Sequence, residues 1–333
     1  MVHASLPLLF YKLVVVGGGA GGCATAAKFS SKLGAGSVAV IEPADVLPKK
    51  ADWIKQRVVT FDPHKNKVIT QDGQEISYEF LVVALGIQLN YNQIKGLPDA
   101  FETPGVCSNY SPHYVNNTLE SLKNFKEGNA LFSFPNSLIK CPGAPQKIMY
   151  IADQYFRKHG KRDKANIQYF SSLPVIFAVK KYADALWEYE MLHVAPPMSS
   201  PDPLRQCAPL TNETGFLNVD KHTLQHVTFP NVFGIGDCTN VPIAKTAAAV
   251  AGQFGVMQKN LSLVMGGASP KHQYDGYTSC PLVTGYNKCI LAEFDMNLNP
   301  LETFPINQAK ERRTMFHLKK DMMPTMYWDG MLK

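Results

Sequence analysis

The run Lys12-Leu13-Val14-Val15-Val16 enters Gly17-Gly18-Gly19-Ala20-Gly21-Gly22, and the following CATAAKFSSKLG over 23–34 is rich in small residues that suit a helix packed closely on a sheet. Strand, glycine turn and helix together are the context that the G-x-G-x-x-G spacing of Gly17, Gly19 and Gly22 needs to mark a dinucleotide-binding turn. The first glycine permits the tight turn, the second lets backbone N–H groups approach a pyrophosphate, and the third lets helix and strand touch. The helix N-terminus adds partial positive charge for the anion. A second strand, SVAVIEP over 37–43, ends at Glu42, twenty residues past Gly22. An acid at that distance can accept both hydroxyls of an adenosine ribose.

This motif alone does not separate NAD from FAD, but later segments do. Alternating residues around Asp72-Gly73 predict a β-hairpin leading into the strand Tyr78–Ala84 and then Leu85-Gly86. Far along the chain, Asn231–Asp237 predicts another strand, followed by the alanine-rich helix Lys245–Gln253. An aspartate at such a strand end, Asp237, can accept from a ribityl hydroxyl while the helix N-terminus faces the pyrophosphate and flavin. A simple nicotinamide dehydrogenase has no use for this distant third element, whereas FAD lies extended across one.

The segment 77–84 resembles 188–195, sharing Tyr-Glu-x-Leu-x-Val-Ala, as two nested dinucleotide-binding folds would leave it. Between the copies, strand 130–134, a helix from about 146 to 158 and strand 165–170 predict a second unit. Its first turn, PNSLIKCPGAPQK, has no G-x-G-x-x-G, so this unit is not expected to bind NAD(P). The expected fold is therefore α/β, with two nested Rossmann-like units: an FAD-binding domain from 11–106 and 206–268, and a second domain over 107–205. Residues 269–333 are left as a C-terminal region. A length of 333 residues allows two domains but is short for two dinucleotide-binding domains plus a tail; the net charge of +6 is mild, with no basic stripe before the last two dozen residues. Nucleic acid is therefore not an expected partner. Seven widely spaced cysteines, without C-x-x-C or zinc-finger spacing, make a structural metal unexpected. Residues 1–12 lack the features of a secretory or transit peptide, and no apolar stretch reaches the length of a bilayer.

At this point the sequence resembles the animal mitochondrial sulfide:quinone oxidoreductases over nearly its whole length. The resemblance runs through GGGAGG (17–22), YEFLVVALGIQLNY (78–91), FKEGNALFSFPNSLIKCPGAPQKIMY (125–150), NVFGIGDCTN (231–240), KTAAAVA (245–251), YDGYTSCPLVTGY (274–286) and LAEFD (291–295). It implies catalytic cysteines at Cys141 and Cys280, and FAD held by Gly17, Gly19, Ala20, Gly21, Gly22, Glu42, Val58, Ala84, Gly86, Gly236, Asp237, Lys245, Thr246, Ala247 and Ala248. Cys141 follows Lys140 and precedes a helix, so both the ammonium and the helix dipole favour a thiolate. Cys280 sits in a Gly/Tyr/Pro loop. Cys23, Cys107, Cys207, Cys238 and Cys289 read as small core side chains.

The resemblance further implies a Cys141–Cys280 disulfide, with or without an extra sulfur. Hydrosulfide attacks Cys280 and leaves a persulfide there, and the released Cys141 thiolate donates to the flavin. Glutathione, sulfite or cyanide then removes the sulfane sulfur, and ubiquinone takes the electrons. Lys245 and Lys288 are candidates for stabilising negative charge on flavin or substrate. The implied location is the mitochondrial inner membrane, held peripherally, with 269–333 as the C-terminal, membrane-facing region. The tail 310–333 mixes Lys and Arg with Met, Phe, Tyr and Trp, as suits an interfacial segment. Two other readings remain open: an impaired short form, and another flavin enzyme such as a type II NADH dehydrogenase. The latter needs a second glycine fingerprint and does not need the two cysteines. Two joints are shorter than the family pattern. Glu42 passes almost directly to Asp52, and helix VKKYADALW (179–187) runs straight into Glu188. Loss of a segment beside the flavin predicts weak flavin retention.

Overall fold

The computed structural model describes residues 9–44, 48–172, 190–297, 299–308 and 310–332. The first unit contains β1 (Leu9–Val16), α1 (Ala20–Leu33), β2 (Val38–Ile41), β3 (Asp52–Ile54), β4 (Val58–Asp62), β5 (Lys67–Thr70) and β6 (Glu75–Val83). Leu13 to Val16 and all of β2 are buried. Strands buried on both faces explain the unbroken apolar runs, where a half-exposed sheet would show alternation. Each such Val or Leu contributes roughly 1.5–3 kcal/mol on burial.

The sheet order is β3-β2-β1-β6-β5-β4. β6 is long enough for two partners on one side: its start pairs antiparallel with β5, and its end pairs parallel with β13 (Val232–Gly234). The Asp72-Gly73 turn closes the expected hairpin, and a strand 150 residues later enters the same sheet as a parallel neighbour.

A short ribbon joins the units, β7 (Gln88–Leu89) pairing antiparallel with β12 (Met198–Ser199). The second unit contains β8 (Val106–Cys107), α2 (Val115–Asn124), β9 (Gly128–Phe134), α3 (Ala144–Lys158), β10 (Ala165–Ser171) and β11 (Met191–His193), in a parallel sheet of order β10-β9-β11-β8. Here β9 lies between β10 and β11 as β1 lies between β2 and β6. The sequence repeat thus falls on equivalent strands, β6 and β11, for those of its residues that are described. A short helix, α4 (Asp202–Arg205), leads back to the first unit.

β13 is three residues long, shorter than expected, because Gly236 adopts φ +81° and turns the chain to present Asp237. α5 (Ala247–Met265) begins two residues later than expected because Thr246 is its cap, its hydroxyl accepting from Ala249 N at 3.1 Å. Two hairpin-like pairs follow, β14 (Thr278–Ser279) with β17 (Glu293–Phe294) and β15 (Leu282–Gly285) with β16 (Lys288–Ile290). The tail is helical from Arg313 to Met331, as α6 (Arg313–His317) and α7 (Met323–Thr325) linked by wider π-type turns. Among the described residues, no helix is long and apolar enough to cross a membrane.

At the first short joint, β3 lies parallel to β2 and Trp53 Nε1 donates to the Glu42 carbonyl at 2.8 Å. The second short joint lies outside the described residues.

Candidate active site

The glycine turn is built by close approach. A Cβ on Gly22 would lie 1.8 Å from the Gly17 carbonyl oxygen, and one on Gly17 would lie 2.4 Å from that of Ala84. Gly19 faces open space on the cleft side. Glu42 leaves the end of β2 and accepts from Gly18 N at 2.6 Å, which puts its carboxylate beside the turn. A cavity of about 1910 Å³ runs from Gly19–Gly21 past Ala84, Gly86, Gly236 and Asp237 to Lys245–Ala248 and the two cysteines. Pockets for small ligands are usually about 300–1,000 Å³, so this one has room for an extended dinucleotide. Asp237 lines it and accepts no hydrogen bond among the described residues. Burial pushes its carboxyl above the ordinary range, opposed by the charges of Lys245 and Lys140. A carboxylate without a donor, beside a glycine turn and the N-terminus of α5, fits a hydroxyl-bearing dinucleotide.

The cysteines meet at the far end of this cleft. Cys141 lies in the β9–α3 turn, the place a phosphate-binding turn would occupy in a second nucleotide site, and it adopts φ +48°. Its N–H donates to the Lys245 carbonyl at 2.8 Å, which ties the turn to the start of α5. Cys280 follows β14, whose Thr278 hydroxyl lies 2.9 Å from that of the cap Thr246. The two Sγ atoms are 3.7 Å apart, close enough that a small shift forms a disulfide of about 2.05 Å. Gly143 allows this approach, since a Cβ there would sit 3.1 Å from Cys280 Sγ. Lys147 Nζ donates to Cys141 Sγ at 3.1 Å and lies 4.0 Å from Cys280 Sγ. The hydrogen bond from Cys280 and the Lys147 ammonium hold the Cys141 thiol well below its ordinary pKa, against burial, with Lys319 of the tail adding to the effect. The same contact and burial push Cys280 up. The asymmetry favours negative charge on Cys141 over Cys280.

No protein-family model matches the chain. Over an alignment of 390 residues it is 47% identical to the mitochondrial sulfide:quinone oxidoreductase of Mus musculus, covering 97% of this chain and 86% of the relative. The chain belongs to the sulfide:quinone oxidoreductase family. The mitochondrial enzyme of Dictyostelium discoideum is 38% identical over the same shares of both chains. The crystal structure of the sulfide:quinone oxidoreductase from Aquifex aeolicus superposes with a TM-score of 0.77 at 17% identity, covering 96% of this chain and 91% of that one, which shows the fold. The mouse alignment is longer than this 333-residue chain, so the relative carries internal residues that this family member lacks.

Within this sulfide:quinone oxidoreductase chain, Gly19, Ala20, Gly21, Ala84, Gly86, Gly236, Asp237, Lys245, Thr246, Ala247, Ala248, Cys141 and Cys280 all line one cavity. Gly17, Gly22 and Glu42 shape the turn behind it. Val58 does not join them. As the first residue of β4 it is buried in the core of the first unit. Lys140 is not the counter-ion of Cys141, because its backbone pairs with Lys245 and its charge acts on Asp237, while Lys147 takes that place. Lys245 holds its Nζ on the carbonyls of Thr239 (2.6 Å) and Val241 (3.3 Å), over the Phe216 ring. Lys288 is exposed and ion-paired with Glu311. Cys23, Cys107, Cys207, Cys238 and Cys289 are buried.

Lys147 was missed by the sequence reading, although a signal was there. A cation in the first turn of a helix opposes the macrodipole, so a lysine just after a helix start asks for an anionic partner. Among the described residues, no group of three or more His, Cys, Asp or Glu could hold a metal.

Proposed function

We propose that this chain oxidises hydrogen sulfide at the Cys141–Cys280 pair and delivers the electrons through FAD to ubiquinone. The observation that carries the reading is the 3.7 Å cysteine pair with Lys147 against Cys141, at the end of a cleft that starts on a glycine turn. FAD is held by Gly19–Gly21 at the pyrophosphate, Glu42 at the adenosine ribose and Asp237 at the ribityl chain, within a domain of 11–106 and 206–268. When bound it accepts two electrons from the thiols and passes them to the quinone.

The chain's own residues divide the sulfur chemistry. In the oxidised enzyme, hydrosulfide attacks Cys280 Sγ of the disulfide. The new S–S bond makes a Cys280 persulfide, and the old one breaks with its electron pair on Cys141. Lys147 stabilises that thiolate, which lowers the cost of the leaving group. A nucleophile such as glutathione, sulfite or cyanide takes the outer sulfur and leaves a Cys280 thiol. Closing the disulfide again releases two electrons and the Cys280 proton. A type II NADH dehydrogenase is disfavoured because the β9–α3 turn presents Cys141 in place of a glycine cradle.

The apolar and basic tail rests on the inner mitochondrial membrane and gives ubiquinone access to the cleft that it roofs. Leu318, Met323, Met326 and Tyr327 line that cavity, while Met322 and Trp328 are exposed. Mass spectrometry of the oxidised protein after one equivalent of sulfide is expected to find the added sulfur on Cys280 and a free Cys141. Sulfur found on Cys141 reverses the roles, and sulfur on neither removes the mechanism.

A further inference from the structure

Away from the main cleft, a second cavity of about 530 Å³ lies between α1 and the last turns of α5, lined by Lys28, Gln258, Lys259, Ser262, Leu263, Lys271 and His272. Three lysines and no acid face it. Among the described residues, none of these lysines has an ion pair. The lysines are brought together by a built loop. Asn260, fully buried on α5, accepts from Lys271 N at 3.1 Å and His272 N at 2.9 Å, and its amide donates to the carbonyls of Thr223 and His272. This clamps Lys271 beside the helix that carries Lys259. Like charges held together without a counter-charge repel one another, and the arrangement is relieved by an anion.

The position of the pocket identifies the anion. Lys28 lines both this pocket and the main cavity, where it shares the wall with Met326 and Tyr327 of the tail. The same tail exposes Met322 (57%), Met326 (62%) and Trp328 (54%). An apolar flank next to a basic pocket matches a phospholipid, whose chains and phosphate lie next to each other at an interface. We infer that the Lys28–Lys259–Lys271 pocket holds the phosphate of an anionic lipid headgroup while the tail side chains enter the adjacent bilayer. This deepens the membrane reading above and rests on it.

The test is co-sedimentation of the full chain with phosphatidylcholine vesicles, with and without cardiolipin, comparing wild type with Lys259→Gln and Lys271→Gln. Cardiolipin is expected to strengthen binding of the wild type. Each lysine substitution should weaken cardiolipin-dependent binding by about fivefold and leave binding to phosphatidylcholine unchanged. Trp328→Ser should weaken binding to both vesicle types. Three outcomes overturn the inference: lysine variants that bind cardiolipin vesicles like the wild type; a wild type indifferent to cardiolipin; and millimolar inorganic phosphate displacing the protein from cardiolipin vesicles at constant ionic strength, which would make the pocket a free-phosphate site. Failure to bind any vesicle overturns the membrane reading itself, and the inference with it.

Discussion

At the residue scale, the decisive contact is Lys147 Nζ on Cys141 Sγ. An opposite charge at that range lowers a pKa by about 1–3 units, and the hydrogen bond from Cys280 acts in the same direction. Lys147→Met is therefore expected to move the alkylation midpoint of Cys141 upward by about one unit or more, read as rate against pH by mass-resolved labelling. An unmoved midpoint would show that the ammonium is not the counter-ion. Because the folded value lies below the unfolded one of about 8.5, ionisation of Cys141 stabilises the fold fully above that pH. The contribution disappears as the pH falls through the lowered value. The cysteines were legible in the sequence only through the residues flanking them. Lys147 was not, because its role depends on how α3 turns its first lysine back over the β9–α3 turn.

At the scale of elements, two glycines of one motif have different duties. Gly22→Ala places a methyl group on the Gly17 carbonyl and should cost several kcal/mol, seen as a large loss of thermal stability. Gly19→Ala meets nothing and should change stability by about 1 kcal/mol or less, while weakening FAD binding in a fluorescence titration. Equal effects of the two substitutions would contradict the division between packing and cradling. Thr246→Val removes the α5 cap and the Thr278 contact, so a loss of about 1 kcal/mol is expected by denaturant unfolding. The strands and helices around both turns were legible because glycine geometry and buried β-branched runs are local signals. The length of β13 and the start of α5 were not, since Gly236 and Thr246 set them by a turn and a cap that periodicity does not report. Val58 stands apart from the cleft for a related reason: as the first residue of β4 it packs into the core.

At the scale of the molecule, the β1–α1 and β9–α3 turns of the two sheets line one cleft, and the proposed function gives phosphate to the first and sulfur to the second. The parallel entry of β13 beside β6 brings Asp237 and α5 to that cleft across 150 residues of sequence, which the sequence reading anticipated from the distant Gly-Asp strand end. The mouse relative carries internal residues that this chain lacks, and Glu42 passes almost directly to Asp52, so FAD is expected to be lost partly on gel filtration. Full retention, read as the ratio of flavin to protein absorbance, would contradict that expectation.

The most direct test of the central claim is anaerobic titration of the FAD-supplemented protein, following flavin absorbance as sulfide or NADH is added. Sulfide is predicted to bleach the bound flavin in the wild type but not in Cys141→Ser or Cys280→Ser, and NADH is predicted to leave it oxidised. Bound flavin that stays oxidised with sulfide, or that NADH reduces, would contradict the account.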